Sequence, residues 1–277
     1  MAEAHFTVLG AGGFIGSRLV RHLRAEGLRC DAPARDDASL LQRPLGDVIY
    51  AIGLTADFRS RPLETVEAHV CVLRHLIAKA DFRSLTYLSS TRVYSGSERT
   101  DEATRLQVNP NDASDLYNLS KLMGESLCLH GGHARMKVAR LANIVGLRPD
   151  PDIFIDQLLE EGCRTGQVHL RTALQSKKDY LYIDDAVNLL TQIALSDAVG
   201  IFNVASGEGV TNAQVLAALE QHMGFSTSVA ADAPLWEFTA IDMTKTIRSF
   251  GFAPQKFDNY FPVFLEQYRR KKGTVNP

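Results

Sequence analysis

A tyrosine and a lysine four residues apart, preceded by a run of hydroxyl side chains, are suited to proton transfer. Tyr117 and Lys121 fall in "DLYNLSKLMGESLCL", whose apolar spacing predicts a helix, so the two side chains share one helix face. A free tyrosine has a pKa of about 10, and a nearby ammonium lowers it. Tyr117 could then give a proton to a carbonyl oxygen as hydride arrives, or remove one in reverse, while the Ser90 hydroxyl holds the same oxygen.

The hydroxyl run lies where a ligand is expected. The segment "SLTYLSSTRVYSG" predicts a buried strand, Leu85 to Leu88, that runs into a polar turn. Ligands of open α/β sheets bind at the carboxyl ends of strands, which is where Ser89, Ser90 and Thr91 fall.

Three glycines spaced three apart, Gly10, Gly13 and Gly16, lie between a short buried strand, "HFTVLG", and a helical pattern that begins at Phe14. Glycine permits positive φ and close approach of the backbone to a pyrophosphate, and the helix N-terminus offers free N–H groups. A dinucleotide site is therefore predicted, with a ligand-free tight turn as the alternative. The predicted cofactor contacts are Gly10, Gly13, Phe14, Ile15, Gly16, Arg35, Ala51, Ile52, Gly53, Ser89, Tyr117 and Lys121.

The second strand bears on which dinucleotide fits. In "LRCDAPARDD" the strand is predicted to end near Ala34 and Arg35. NAD sites usually place a carboxylate there, whereas an arginine suits the 2′-phosphate of NADP. NADP(H) is therefore favoured. NAD(H) stays the alternative, because Asp36 or Asp37 could turn back to the ribose.

The next connection is short. Only "DASLLQRPLG" precedes the apolar strand "DVIYAIG", whereas a complete βαβ crossover needs roughly a dozen residues plus its strand. We predict that the third strand and its helix are trimmed or absent, which leaves the adenine side of the site open.

With these motifs the chain resembles the extended short-chain dehydrogenases/reductases, in the NAD(P)-dependent epimerase/dehydratase group that acts on nucleotide sugars. The resemblance rests on "GAGGFIG", "YLSSTRVYSG", "YNLSK", "RLANIVGLRPD", "KKDYLYIDDAV" and "GIFNVASGEGVTNAQVL". It implies that Ser90, Tyr117 and Lys121 are the catalytic trio and that Asn143 lies near the substrate. It also implies a homodimer paired through the helices of Thr65–Lys79 and Leu116–Leu129.

Departures from that family's motifs reduce the number of reactions that fit this sequence. Thr91 and Arg92 stand where its 4,6-dehydratases carry Asp-Glu, which argues against dehydration, and Arg92 stands where 3,5-epimerising enzymes need a cysteine. Two chemistries remain: reduction of a ketone by NADPH, which is favoured, and 4-epimerisation through a transient ketone on retained NAD. Reduction of a non-sugar ketone and a non-catalytic NADP-binding regulatory protein are further alternatives.

The substrate, a small molecule of the nucleotide-sugar class, is predicted to contact Thr55, Thr91, Arg92, Asn143 and Lys178. Lys178 stands where the family usually has an arginine on the diphosphate, and lysine keeps the charge without the bidentate fork.

Several other polar residues near these motifs have less defined roles. Arg59 and Arg61 either meet a substrate phosphate or carboxylate or lie in a solvated loop. For His69 a satisfied polar contact is favoured over a catalytic base. His130 and His133 have no third ligand nearby, so no metal is predicted.

Composition excludes several classes of protein. The net charge of −2 gives no reason to expect nucleic acid or an anionic membrane, and no apolar run approaches the ~20 residues of a membrane span. The four cysteines never form a C-x-x-C pair, and the N-terminus lacks a signal-peptide pattern, so a cytoplasmic protein is predicted.

Strands alternate with helices to about residue 145, which predicts an α/β fold with a Rossmann-like, doubly wound parallel sheet. The dinucleotide-binding domain is expected to span 1–145, with a return segment at about 179–206. A smaller substrate-binding lobe is expected to comprise 146–178 and 207–277.

Overall fold

A central parallel sheet organises the chain, as seen in a computed structural model that describes residues 4–55, 58–148 and 153–273. The strands are β1 His5–Leu9, β2 Arg29–Asp31, β3 Asp47–Tyr50, β4 Ser84–Ser90, β5 Met136–Leu141, β6 Asn143–Val145, β7 Gln167–Leu170, β8 Lys177–Tyr182, β9 Gly200–Val204, β10 Gly209–Thr211 and β11 Ser226–Val229. The helices are α1 Phe14–Ala25, α2 Pro62–Val66, α3 Val72–Lys79, α4 Asp115–His130, α5 Phe154–Thr165, α6 Ile183–Leu195, α7 Asn212–Met223, α8 Thr244–Phe250 and α9 Phe257–Gly273.

The sheet has six parallel strands in the order β2-β1-β3-β4-β5-β9. Its middle strands β3, β4 and β5 are buried along almost their whole length because helices cover both faces. Leu19 of α1 and Leu190 of α6 pack in the cluster on one face, and Leu73 of α3 and Cys128 of α4 in the cluster on the other. This confirms the predicted doubly wound parallel sheet.

The edge beside β2 confirms the trimmed third strand. β2 pairs with β1 and is the outer strand of the sheet, and residues 32–46 contain neither helix nor strand. The predicted end of β2 near Ala34 and Arg35 is wrong, because pairing stops at Asp31, opposite Thr7. Pro33 has no N–H to continue the ladder, and no outer strand holds this segment extended.

A second apolar cluster lies in the C-terminal part. It joins α5, α7 and α9 through side chains such as Leu159, Leu219 and Phe264. Two small sheets, β10-β8-β6 and β11-β7, contribute strands to it. A separate core agrees with a substrate-binding lobe, while the domain boundaries stay a prediction.

Two further findings concern cysteines and helices. All four cysteines are free thiols, and Cys163 is the exposed one. None of the helices in the described ranges has the length and apolar character needed to cross a membrane.

Candidate active site

The glycine turn after β1 is packed against the end of β3. Gly10 has φ of +84°, and a Cβ there would lie 2.7 Å from the carbonyl carbon of Ala51. A Cβ on Gly16 would collide with the Gly10 carbonyl oxygen. Gly10 and Gly16 are therefore required by the turn's own packing.

The middle of the same turn is open. Gly13 is the N-cap of α1 and supplies no capping side chain, and the first turn of the helix carries no acidic residue. A Cβ on Gly12 would meet nothing within 4 Å. Free N–H groups beside open space fit the pyrophosphate of a dinucleotide.

The segment after β3 joins this turn to the catalytic helix. The Ala51 N–H donates to the Leu9 carbonyl at 2.8 Å. A Cβ on Gly53 would lie 3.1 Å from His69 Nε2 and 3.4 Å from Lys121 Nζ. The predicted cofactor turn and the predicted catalytic helix therefore meet at the carboxyl ends of the parallel strands.

The apolar members of the predicted cofactor set are partly buried. Phe14 and Ile15 pack on the cluster under α1, and Ile52 packs on the cluster of the opposite face. Packing accounts for these residue types, and their contact with a cofactor stays a prediction.

Beyond β2, Arg35 is exposed and forms no ion pair with any carboxylate of the described ranges. Two neighbouring carboxylates are already engaged. Asp31 accepts hydrogen bonds from His5 Nε2 at 3.0 Å and Arg43 Nη1 at 2.6 Å. Asp37 accepts from the Ser39 N–H and hydroxyl. The exposed guanidinium is available to an incoming anion.

The catalytic candidates come together at the end of β4. The hydroxyls of Ser90 and Thr55 lie close enough to the buried Tyr117 hydroxyl to lower its pKa. The Ser90 Oγ also accepts from the Arg92 N–H at 3.2 Å. Tyr117 has its ring centre 5.2 Å from that of Phe58.

The charges around Tyr117 differ from the sequence expectation. Burial raises the pKa of Tyr117, whereas the Ser90 hydrogen bond, the Arg92 charge and the Thr55 hydrogen bond oppose that rise. Lys121 Nζ donates to the Leu88 carbonyl at 2.9 Å and lies 5.8 Å from the Tyr117 ring centre. The expected lowering of this pKa by Lys121 is therefore not found.

Lys121 is itself perturbed. Burial lowers its pKa to about 7, and the carboxylate of Glu125 works in the opposite direction. Lys121 is therefore a buried amine that exchanges its proton near neutral pH.

A buried polar network behind the site was not predicted. Arg140 makes two hydrogen bonds to Glu125, at 3.0 and 2.7 Å, and one to the Tyr94 hydroxyl at 2.8 Å. The Ser89 hydroxyl donates to Glu125 at 2.6 Å, so this side chain is turned into the core. The available signal was the spacing of Glu125, one helical turn beyond Lys121.

The predicted substrate residues occupy different positions. The Thr91 hydroxyl donates to the Leu141 carbonyl at 3.3 Å and is used within the fold. Asn143 is exposed, and its amide donates to the Asp179 carbonyl at 2.9 Å. Lys178 Nζ lies 3.8 Å from the Phe154 ring centre.

Arginines 59 and 61 have different surroundings. Arg59 Nη2 donates to the Ser114 hydroxyl at 2.9 Å, and its guanidinium carbon lies 4.5 Å from the Phe58 ring centre. Arg61 forms an exposed ion pair with Glu64 at 3.5 Å. Residues 56 and 57 of the same loop lie outside the described residues.

His69 is fully buried beside Tyr117. Its Nε2 accepts from the Leu54 N–H at 3.3 Å, so Nδ1 carries the proton and donates to Ser120 Oγ at 2.8 Å. Burial and the Lys121 charge lower the pKa of His69 to about 2. His69 is thus the predicted satisfied polar contact. His133, by contrast, stacks on the Phe82 ring.

A cleft of about 1160 Å³ opens between α5 and β7. Lys178 lies on its wall together with aromatic Phe154 and Trp236 and basic Arg171 and Arg269. Aromatic faces and cations suit a planar base and phosphates.

A family model and one curated protein match this chain. The model, described as NAD dependent epimerase/dehydratase family, matches residues 6–205. A dTDP-glucose 4,6-dehydratase of Streptomyces griseus is 26% identical over an alignment of 295 positions, gaps included, which spans 90% of this chain and 89% of that protein.

Solved structures share the fold. MoeE5 in complex with UDP-glucuronic acid and NAD has a TM-score of 0.80 and 20% identity, over 96% of this chain and 99% of that one. The UDP-glucose 4-epimerase of Thermus thermophilus, in complex with NAD, has a TM-score of 0.77 and 20% identity over the same shares. At this identity the likeness shows the fold alone.

Proposed function

The chain belongs to the NAD-dependent epimerase/dehydratase family, a family of enzymes, and we propose that it is a reductase that uses NADPH to reduce a keto group of a nucleotide-linked sugar. The observation that carries this proposal is the hydroxyl cluster at the end of β4. There the hydroxyls of Ser90 and Thr55 lower the pKa of the buried Tyr117, and the buried Lys121 amine lies 5.8 Å from the Tyr117 ring centre.

This cluster can perform the proton half of a reduction. The cofactor, when bound, supplies the hydride. The Tyr117 hydroxyl gives its proton to the carbonyl oxygen, and the Ser90 hydroxyl donates a hydrogen bond to the same oxygen. The positive charge of Arg92, which lowers the pKa of Tyr117, stabilises the resulting phenolate.

Dehydration requires groups that these positions do not supply. The elimination of water needs an acid and a base beside the catalytic hydroxyl, and Thr91 and Arg92 stand there. The Thr91 hydroxyl is bonded to Leu141, and a guanidinium does not deprotonate at physiological pH. We therefore propose reduction although one relative is a 4,6-dehydratase.

The preference for NADPH rests on Arg35. Its guanidinium is exposed, Ala34 beside it is neutral, and Asp31 and Asp37 are engaged elsewhere. A 2′-phosphate would therefore meet an unpaired guanidinium, while the exposed Asp36 beside it is the carboxylate that would serve the ribose of NAD instead.

The second candidate function is 4-epimerisation on retained NAD. It is favoured by solved structures of the same fold that hold NAD, among them a UDP-glucose 4-epimerase. An epimerase oxidises and re-reduces one carbon, so it keeps its cofactor, whereas a reductase exchanges it at each turnover.

The first experiment measures which cofactor the purified protein holds and prefers. Protein purified without added cofactor is denatured, and any released nucleotide is identified. The Kd values for NADPH and NADH are then measured by fluorescence. We expect an empty site and tighter binding of NADPH. Retained NAD(H) with little response to NADPH would overturn the reductase and favour the epimerase.

A variant makes the cofactor prediction specific. We expect Arg35→Ala to weaken NADPH binding about 10- to 100-fold, the range for loss of a charged phosphate contact, with NADH binding unchanged. Arg29→Ala is the matched control, since Arg29 is an exposed arginine at the other end of β2. Equal weakening of both nucleotides would place Arg35 away from the 2′-phosphate.

A further inference from the structure

Arg92 lies beside Tyr117 and has two further cations near it, and we call Arg59, Arg92 and Lys178 the cation cluster. The guanidinium carbons of Arg92 and Arg59 lie 5.2 and 4.5 Å from the centre of the Phe58 ring. Burial and the charge of Arg92 lower the pKa of Lys178 to about 8. Arg92 is therefore close enough to both Arg59 and Lys178 for the positive charges to repel.

Nothing in the described ranges neutralises the cation cluster. None of its members forms an ion pair there, and the Asp112 and Asp115 carboxylates act on Arg92 only from beyond ion-pair distance. Arg92 Nε is buried without a hydrogen-bond partner among the described residues. Arg59 is exposed and Arg92 and Lys178 are half-buried, and buried cationic atoms are normally paired, so the unpartnered Arg92 guanidinium is suited to an incoming anion.

The position of Arg92 shows which part of a substrate it would meet. Its backbone N–H donates to Ser90 Oγ, and its guanidinium carbon lies 5.9 Å from the Tyr117 ring centre. Ser90 and Tyr117 hold the oxygen of the reacting carbon in the proposed function. A substrate held in this way would have Arg92 beside the ring position next to that carbon, whereas Lys178 lies on the wall of the cleft.

We infer that the sugar ring of the substrate carries a carboxylate next to the reacting region, and that Arg92, assisted by Arg59, recognises it. This inference rests on the proposed function and names its substrate class, a nucleotide-linked sugar acid. A guanidinium matches a carboxylate through two parallel hydrogen bonds, which lysine cannot make. Lys178, on the wall of the cleft, binds a phosphate of the same substrate in this arrangement.

The test compares pairs of ligands that differ only at the sugar's carboxylate. The three pairs are UDP-glucose with UDP-glucuronic acid, dTDP-glucose with dTDP-glucuronic acid, and GDP-mannose with GDP-mannuronic acid. Their Kd values are measured by calorimetry on the full chain saturated with oxidised cofactor. We expect the acid of at least one pair to bind about tenfold or more tightly than its neutral partner.

Variants of Arg92 and Lys178 test which residue causes the preference for the sugar acid. We expect Arg92→Gln to weaken binding of the acid about 10- to 100-fold and to leave the neutral sugar unchanged. Lys178→Gln is expected to weaken both ligands alike. Arg61→Gln is the control, because Arg61 is an exposed arginine of the same segment that is already paired with Glu64. Thermal unfolding of each variant checks that it is folded.

The outcomes separate the two proposals. Equal binding of acid and neutral sugar by the unmodified protein would overturn the carboxylate inference and leave the proposed function standing. Equal weakening of both ligands by Arg92→Gln would also overturn it, since Arg92 would then act on the phosphates. Failure of all three pairs to bind would overturn the proposed function and this inference together.

Discussion

At the residue scale, the buried Lys121 amine makes folding stability depend on pH. Its pKa is about 7 in the folded chain, against an ordinary value of 10.5, so the unfolded chain holds the proton more tightly. The loss of folding free energy from burying the charged amine is therefore at its full value below pH 7. It decreases as the pH rises and is absent above pH 10.5, where the amine is neutral in both states.

This predicts the behaviour of Lys121→Met without cofactor. Its stability relative to the unmodified protein is expected to fall by about 3 kcal/mol between pH 6 and about 9.5, at roughly 1.4 kcal/mol per pKa unit. That difference corresponds to roughly 6–12 °C in Tm, followed by circular dichroism. Lys79→Met, at an exposed lysine, is expected to show no such trend. A difference that does not change with pH would show that Lys121 is not perturbed.

The sequence predicted the members of the catalytic cluster better than their charges. Ser90 and Tyr117 were predicted from a strand end and a helix face, and the Ser90 hydroxyl lies close enough to lower the pKa of Tyr117. Arg92, and not Lys121, lowers the pKa of Tyr117. This depends on how the turn after β4 folds over α4. Local spacing carries no signal for such a contact.

At the element scale, one buried ion pair joins the catalytic helix α4 to the middle of the sheet. Glu125 and Arg140 are each less than 5% exposed, and the pair also holds Ser89 and Tyr94. Removing one partner would leave the other charge buried alone, which costs about 3–5 kcal/mol.

We therefore expect Glu125→Gln to lower stability by about 3 kcal/mol and Tm by roughly 6–12 °C. The double variant Glu125→Gln/Arg140→Met is expected to recover part of that loss, because no unpaired charge remains. Glu266→Gln, in an exposed pair of α9, is expected to change stability by less than about 1 kcal/mol. Equal losses in the two single variants, measured by denaturant unfolding, would contradict this account.

Secondary-structure elements were predictable where the sequence of a single segment determines them. The absence of the third strand was predictable because the connection before β3 is too short to contain a strand and a helix. The single helix expected over Thr65–Lys79 is interrupted by a π-helical turn, Glu67–Cys71, which carries His69. Its extra residue per turn shifts the side-chain phase, and the sequence shows no break such as proline or glycine there.

At the scale of the whole molecule, α4 has two different faces. One face carries Tyr117 and Lys121 into the site, and the other leaves Leu119 and Met123, one turn apart, 37% and 54% exposed. Leu63 of the adjacent α2 is 81% exposed. An apolar patch on two neighbouring helices agrees with the homodimer that the resemblance implies, which we retain as a proposal.

If these helices pair two copies, Met123→Glu places a charge in the interface of both. We expect the unmodified protein to have twice the chain mass of 30.5 kDa by light scattering, and the variant to have the mass of one chain. Val263→Glu is the control, since Val263 of α9 is equally exposed at 54%. A monomeric unmodified protein, or equal dissociation by both variants, would overturn the proposed interface. Because α4 also carries the catalytic residues, we expect Met123→Glu to lower kcat as well, while Val263→Glu leaves it unchanged.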